Sequence, residues 1–242
     1  MLFQSRSRPV IGLDITTSSI KLIELAKSGD GYRVESYAAE PSPPNAINEK
    51  AIVDAQAVGE AVRRAVKRAG ARSKECAVAI SGDAAITKII QMPRNLRESE
   101  LESQVEMQAD QYIPFPMEEV AFDFEVTGPS EKDPEMLDVL LVATRSENVE
   151  QRQAAVQAAG LTTRIVDVEA FALENACRLL THQMPDGGME RSIAVIDFGA
   201  SSTTFSVLRD LTVSYTRDFS FGGQQLTEEI MRSYGLSMEE AG

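Results

Sequence analysis

The stretch that decides the fold is VIGLDITTSSIKLIEL, residues 10–25. Its first residues are apolar and predict a buried strand that ends at Asp14. A turn of small hydroxyl residues follows, and an alternating apolar segment then predicts a second strand from Ile20 to Leu25. We therefore predict a β-hairpin that carries a carboxylate at the end of its first strand.

A near copy of this stretch is IAVIDFGASSTTFSVL, residues 193–208. Aligning Asp14 with Asp197 places Ser18 over Ser201. The turn of the second copy consists of Gly199, Ala200, Ser201 and Ser202. A strand–Asp–small turn–strand unit that is used twice predicts two similar lobes that face each other.

The composition of the two turns suits phosphate binding. A turn of Gly, Ser and Thr brings several backbone N–H groups to one point, and such a nest binds phosphate oxygens. A carboxylate at the strand end can hold Mg²⁺ through water, because Mg²⁺ keeps much of its hydration shell. Either hairpin alone is also consistent with an ordinary acidic turn. The pair of hairpins predicts a nucleotide site in which the two turns bind the phosphates from opposite sides.

Length and charge exclude several classes of protein. The chain has 242 residues with a formal net charge of −13, so a nucleic-acid-binding surface is not expected. No apolar run approaches the ~20 residues of a membrane span, and the N-terminus lacks the apolar core of a signal peptide. Cys76 and Cys177 match no metal spacing and are predicted to be reduced core residues of a cytoplasmic protein.

The pattern of elements predicts a chain of five segments. The first lobe comprises residues 1–82 and resumes over residues 161–188, and an inserted subdomain of order strand, helix, strand, strand, helix occupies residues 83–160. Residues 189–221 form the phosphate-binding part of the second lobe, and residues 222–242 begin its outer part. A helix start at Ser237 with no helix body after it predicts that the sequence is a fragment.

One amphipathic helix is predicted with particular clarity, over residues 54–69, with Gly70 as its C-cap. Basic residues are concentrated on its outer face and just beyond its C-terminus, between Arg63 and Lys74. Such a cluster is consistent with a solvated face, since cations suit a helix C-terminus. It is also consistent with a surface that faces anionic lipid or an acidic partner.

Together with the two hairpins, three further runs carry a family resemblance. They are QADQYIPFPMEEVAFDFEV (108–126), AGLTTRIVDVEAFALENA (159–176) and FGGQQLTEEI (221–230). The chain resembles the actin/Hsp70/hexokinase superfamily, and within it the FtsA-like branch that includes the actin-like proteins of type IV pilus assembly. The resemblance implies an α/β, actin-like (ribonuclease H-like) ATPase fold of two lobes, with a small α+β insert and a truncated second lobe.

The resemblance also implies roles for individual residues towards ATP and Mg²⁺. Asp14 and Asp197 would hold Mg²⁺ through water, Lys21 would reach the phosphates, and Glu169 would orient the attacking water. From its position alone, Glu169 is equally consistent with a carboxylate that suits a helix N-terminus. Phe198 stands where actins have a small residue and would narrow the site. The remaining cofactor-binding positions would be Thr16, Thr17, Ser18, Gly199, Ala200, Ser201, Ser202, Gly222 and Gly223.

The function that the resemblance implies is an ATP-binding scaffold of the pilus assembly platform, at most a slow ATPase, peripheral to the inner membrane. It would link the platform to the cytoplasmic machinery of pilus biogenesis and twitching motility. Its partners would be the N-terminal cytoplasmic tail of the membrane protein PilN, other platform and motor proteins, and further copies of itself. A groove at Tyr112, Ile113 and Phe115 would hold the tail. Alternatively, these three side chains fill the core of the insert.

Two other functions within the superfamily remain consistent with the sequence. One is a filament-forming, FtsA-like cell-division protein, whose branch ends in an amphipathic membrane helix that a truncated chain would not show. The other is a sugar or acetate kinase, which requires a substrate pocket with a catalytic Asp between the lobes. The sequence contains no signature of such a pocket.

Overall fold

The computed structural model describes residues 9–29, 31–48 and 50–241. The N-terminal residues that argue against a signal peptide lie outside these ranges. The chain divides into two compact units, one formed by Met1–Gly82 with Gln151–Gly242 and the other by Asp83–Glu150.

The described residues contain thirteen strands and six α-helices. The strands are β1 (Ile11–Ile15), β2 (Ser19–Ser28), β3 (Gly31–Pro41), β4 (Ile47–Asn48), β5 (Ala51–Ile52), β6 (Glu75–Ile80), β7 (Ala85–Pro93), β8 (Val120–Pro129), β9 (Met136–Arg145), β10 (Thr162–Val168), β11 (Ser192–Phe198), β12 (Thr203–Arg209) and β13 (Thr212–Phe219). The helices are α1 (Ala55–Ala69), α2 (Glu98–Ala109), α3 (Ser146–Ala158), α4 (Glu169–Arg178), α5 (Gly223–Tyr234) and α6 (Met238–Ala241).

The first unit is built on a five-stranded sheet of order β10-β6-β1-β2-β3. β1 and β2 form the predicted antiparallel hairpin, whereas β6 runs parallel to both β1 and β10. The apolar face of α1 packs against the sheet, and the helix is capped by Asp54 and by Gly70 in the left-handed conformation (φ 65°). Buried residues of this core include Ile11, Leu13, Ile20, Leu22, Val58, Ala61, Val62 and Ala65.

The second predicted hairpin lies in a separate three-stranded antiparallel sheet of order β11-β12-β13. β11 extends one residue beyond the predicted end of the strand, to Phe198. In the first hairpin Asp14 lies opposite Lys21, and in the second Asp197 lies opposite Thr204. The two copies of the sequence pattern therefore form equivalent hairpins in two different sheets.

The second unit is an antiparallel sheet of order β7-β9-β8 covered on one face by α2. Its elements follow in the predicted order of strand, helix, strand, strand and helix. The helix α2 ends at Ala109, and the chain continues in turns to Ile113, where the following Pro114 disfavours helical backbone.

The compact insert ends earlier than the sequence predicts, at Glu150 and not at Gly160. α3 begins in the second unit, but Ala155 and Val156 in its C-terminal half are fully buried in the core of the first unit. Gly160 ends a helix and does not mark a boundary between units. Periodicity and a glycine stop identify the helix, but they do not reveal which core each of its turns enters.

Cys76 and Cys177 are both free and buried, as predicted. Burial raises the pKa of the Cys76 thiol to about 11. A thiol with this pKa is almost entirely protonated near neutral pH and is therefore a weak nucleophile.

Candidate phosphate-binding cleft

Both hairpin turns line one cavity of about 760 Å³ in the first unit. The cavity also contains the side chains of two lysines, Lys21 and Lys50, and of Glu169. Most of the residues predicted to bind the cofactor therefore surround a single space: Asp14, Thr16, Thr17, Ser18, Lys21, Asp197, Gly199, Ala200, Ser201 and Ser202.

The first turn, residues 16–19, is closed by its own hydroxyl groups and by a neighbouring loop. The backbone N–H and the Oγ1 of Thr16 both donate to the carbonyl of Ser19, at 3.0 and 2.9 Å. Ser42, which follows β3, donates its hydroxyl to the carbonyl of Thr16 at 2.6 Å and its N–H to the carbonyl of Ser18 at 3.1 Å. These bonds fix the turn with Thr17 and Ser18 at its tip.

The second turn, residues 199–202, is held by the N-terminus of α5. The N–H of Gly223 donates to the carbonyl of Gly199 at 2.9 Å, and the N–H of Gln224 donates to that of Ala200 at 2.8 Å. A Cβ on Gly222 would lie 2.5 Å from the Ala200 carbonyl oxygen, so this approach requires glycine. Gly222 and Gly223, predicted to contact the cofactor, thus position the turn and lie outside the residues that line the cavity.

The tips of the two turns meet. The Thr17 hydroxyl donates to Ser201 Oγ at 3.1 Å, which joins positions 184 residues apart in sequence. Short side chains at both tips permit this contact, and they leave the backbone of each turn accessible from the cavity. A polyphosphate that entered here would meet backbone donors from two sheets at once.

Three charged side chains lie beside the paired turns. Lys21 Nζ donates to Asp14 Oδ2 at 2.9 Å, as expected for residues that lie opposite each other on β1 and β2. This hydrogen bond raises the pKa of Lys21; burial opposes the shift, and the negative charges of Asp14 and Asp197 add to it. The two aspartates therefore act on the same ammonium group although they belong to different sheets.

Glu169 is the first residue of α4 and lines the same cavity. Burial raises its pKa, the positive charges of Lys50 and Arg152 oppose this shift, and the negative charges of Asp14 and Asp218 reinforce it. Lys50 Nζ lies 3.6 Å from Glu169 Oε2 and 3.4 Å from Asp218 Oδ2.

Sequence reasoning missed Lys50, Arg152 and Asp218, because each lies in an element with no recognisable motif. Lys50 stands in the short β4–β5 hairpin. Arg152 lies on α3, and Asp218 is near the end of β13. Only the tertiary fold brings Lys50 to the cavity, and brings Arg152 and Asp218 close enough for their charges to act on Glu169.

The donor set fits a magnesium ion that is held through water. Among the described residues, no group of three or more His, Cys, Asp or Glu side chains is placed to ligate a metal directly. Asp14 and Asp197 face the cavity beside the phosphate-binding turns. Mg²⁺ binds nucleotides with several waters and few carboxylates, which is compatible with these two side chains.

Phe198, predicted to narrow the site, lies outside the cavity lining. Its ring is in edge-to-face contact with Phe221, with ring centroids 5.8 Å apart. This contact flanks the Gly222–Gly223 turn and leaves the space between the hairpins clear.

The three predicted partner residues differ in their environment within the second unit. Ile113 is 5% exposed and belongs to the core of that unit. Phe115 is partly buried, with the Arg145 guanidinium 4.3 Å from its ring centroid. Tyr112 is 41% exposed and has Lys88 Nζ 5.4 Å from its ring centroid. Ile113 therefore fits the core alternative, Phe115 is partly buried against the same core, and Tyr112 is exposed.

Comparisons with known proteins identify the family. The chain matches the family of the type IV pilus assembly protein PilM over residues 12–242. It belongs to the PilM family. A solved PilM–PilN type IV pilus biogenesis complex is similar to it, with 31% sequence identity and a TM-score of 0.80, over 98% of this chain and 68% of that one.

A second solved structure shows the same fold at lower identity. The ethanolamine utilization protein EutJ from Carboxydothermus hydrogenoformans has 17% identity and a TM-score of 0.54, over 97% of this chain and 60% of that one. The predicted actin-like α/β fold and the predicted family are thus confirmed for this PilM-family chain. Within the described residues, no helix is long and apolar enough to cross a membrane.

Proposed function

We propose that the chain is a nucleotide-binding scaffold of the type IV pilus assembly platform, which binds Mg-ATP between its two hairpin turns and the cytoplasmic tail of a PilN-type protein on its small unit. In this role it recruits cytoplasmic components to the inner membrane for pilus biogenesis and twitching motility. Platform and motor proteins and further copies of the chain are its additional partners.

The meeting of the two turns is the observation that carries the nucleotide part of this proposal. The Thr17–Ser201 bond brings two sets of backbone donors to one side of a cavity that also contains Asp14, Asp197 and Lys21. Bound Mg²⁺ would neutralise phosphate charge, and the two aspartates would hold its water ligands. Lys21 would contact the phosphates and neutralise part of their remaining negative charge. Its ammonium group already lies close enough to both carboxylates for their charges to act on it.

Slow turnover follows from the groups around Glu169. Phosphoryl transfer depends on positioned charge, commonly including an arginine that reaches the transferred group. Arg152 donates to the backbone carbonyls of Ala79 at 2.6 Å and of Lys50 at 3.3 Å, so its guanidinium is engaged in structural bonds. The ammonium of Lys50 lies 3.6 Å from Glu169 Oε2 and opposes the rise in the Glu169 pKa that burial causes.

A phosphate-release assay with Mg-ATP, alone and with sugars or acetate, tests the scaffold role. We expect turnover below the roughly 1–100 per second typical of kinases, and no stimulation by these acceptors. Acceptor-dependent turnover within that range would identify a kinase and contradict the scaffold role.

Support for the tail-binding site comes from the second unit and from a relative whose solved structure is a complex with PilN. β8 is an edge strand of its sheet, since it pairs only with β9 among the described strands. An extended peptide can add to such an edge through backbone hydrogen bonds while its apolar side chains contact exposed rings. Tyr112 is an exposed ring on this unit, and Phe115 is partly buried against the core of the unit.

Three variants separate tail binding from packing. In Tyr112→Ala, we expect the affinity for a synthetic tail peptide to fall about tenfold, or about 1.4 kcal/mol, with little change in melting temperature. Tyr32→Ala is the matched control, because Tyr32 is 58% exposed and lies in the other unit. Ile113→Ala should lower the stability of the second unit by about 2–5 kcal/mol. Unchanged peptide affinity in Tyr112→Ala would contradict the assignment.

A further inference from the structure

Lys50 is held in an unusual backbone conformation at the edge of the cleft. It stands in the turn between β4 and β5, where Asn48 pairs with Ala51, and its φ of 69° is in the left-handed region. This conformation is unfavourable for a residue with a side chain and persists only where the surroundings enforce it. The Lys50 carbonyl accepts a bond from Arg152, which is 5% exposed.

The ammonium group of Lys50 has three oxygen partners. It donates to Ser81 Oγ at 2.9 Å and lies 3.6 Å from Glu169 Oε2 and 3.4 Å from Asp218 Oδ2. The side chains of Lys50 and Asp218 are only 20% and 14% exposed. Interactions between charges that are partly withdrawn from water are stronger than those of surface pairs.

These partners belong to both sheets of the unit. Ser81 and Glu169 directly follow β6 and β10 of the five-stranded sheet, whereas Asp218 lies on β13 of the three-stranded sheet. Among the described residues, the Lys50–Asp218 pair is the one ion pair that connects a strand of the three-stranded sheet with the elements of the first sheet. Asp218 is oriented from its other side by a hydrogen bond from the Thr204 hydroxyl.

Without the lysine, the carboxylates around the cleft would repel one another. Asp14 and Asp218 both disfavour the charged form of Glu169, while Lys50 and Arg152 favour it. Arg152 already binds backbone carbonyls, so Lys50 is the cation that touches carboxylates from both sheets. Removing its charge leaves Arg152 as the remaining cation that opposes the effect of Asp14 and Asp218 on Glu169.

We propose that Lys50 is an electrostatic latch that holds the two sheets of the first unit together at the cleft, through Ser81 and Glu169 on one side and Asp218 on the other. The latch operates without nucleotide. Its failure can therefore be distinguished from a failure of nucleotide binding.

Hydrogen exchange followed by mass spectrometry tests the latch in the protein without nucleotide. In Lys50→Met, we expect amides of β13 and of the first turn of α4 to exchange at least fivefold faster, with unchanged exchange in β7 and β9 of the second unit. Asp218→Asn removes the ion pair with Lys50, leaves the contact between Lys50 and Glu169, and should accelerate exchange in β13 similarly. Lys27→Met, which makes the same charge change at an exposed site on β2, should leave β13 unchanged.

The double variant and a charge-preserving variant complete the test. Lys50→Met/Asp218→Asn should exchange no faster in β13 than the faster single variant, because both changes break one pair. Lys50→Arg should keep exchange near the wild-type rate. Wild-type exchange in Lys50→Met, or multiplicative effects in the double variant, would overturn the latch. If Lys50→Met does not fold, Asp218→Asn still tests the proposal, and exchange of β13 at the wild-type rate in that variant would overturn the latch.

Discussion

The two hairpin turns share a sequence pattern and a strand pairing, but different parts of the chain support them. The first turn is closed by Thr16 and Ser19 and tied down by Ser42, in a hairpin whose strands carry fully buried residues such as Ile11 and Ile20. The carbonyl groups of the second turn accept hydrogen bonds from the backbone N–H groups at the start of α5. The strand before this turn, β11, has exposed residues such as Ile196.

This difference indicates that the local sequence specifies the shape of the turn, while distant segments specify its rigidity. Side-chain hydroxyls near the first turn provide much of its hydrogen bonding. The second turn depends on the close approach of Gly222, twenty or more residues along the chain. The two turns should therefore respond to different substitutions.

The largest expected effect is at Gly222. In Gly222→Ala, the new Cβ would lie 2.5–2.6 Å from backbone atoms of Gly199 and Ala200, so α5 or the turn must shift. We expect a loss of roughly 3 kcal/mol in the free energy of unfolding, measured by urea denaturation. Gly223→Ala is the matched control, since its Cβ would meet its first neighbour at 3.9 Å. Equal stability of the two variants would show that the turn does not depend on this approach.

The next effect concerns the first hairpin and is sensitive to pH. Glu24 on β2 is 3% exposed and accepts bonds from the Ser36 hydroxyl and from the N–H groups of Arg72 and Ser73. Burial alone would raise the pKa of this carboxyl group, but the three hydrogen bonds and the nearby charge of Arg72 lower it below its usual 4.5. The carboxylate therefore stabilises the fold above about pH 4.5, and this stability is lost as the pH falls through the lowered pKa.

Glu24→Ala should lower the free energy of unfolding near neutral pH by roughly 2 kcal/mol, because it leaves buried donors without an acceptor. The difference in melting temperature between this variant and the wild type should shrink as the pH is lowered below 4. Glu35→Ala, which removes a carboxylate from the exposed pair with Arg33, is the control. A difference that stays constant at every pH below 4.5 at which both proteins still fold would contradict the role of the ionised Glu24.

Much of this architecture could be predicted from the sequence because it is encoded locally. Alternation of apolar residues identifies the two hairpins, and Asp54 and Gly70 identify the ends of α1. The questions that the sequence leaves open depend on packing between distant segments. Ile113 lies in a Tyr–Ile–Pro–Phe–Pro run that suggests a binding surface, yet its side chain lies in the core of the insert.

The same limit applies to the cleft. Asp14 and Asp197 follow from the repeat, because each stands at a fixed place relative to its turn. Lys50 could not be predicted, since its importance arises from two carboxylates that are 119 and 168 residues away. No local sequence pattern indicates that Lys50 lies close to these two carboxylates.

Calorimetric titration with Mg-ATP of the wild type, Asp14→Ala and Asp197→Ala tests the central claim most directly, namely that the two hairpins form one Mg-ATP site. We expect each substitution to weaken binding at least tenfold, or about 1.4 kcal/mol, because both carboxylates face the same cavity. Asp186→Ala, at an exposed aspartate outside the cavity, should bind like the wild type. Unchanged affinity in both Asp14→Ala and Asp197→Ala would contradict the claim.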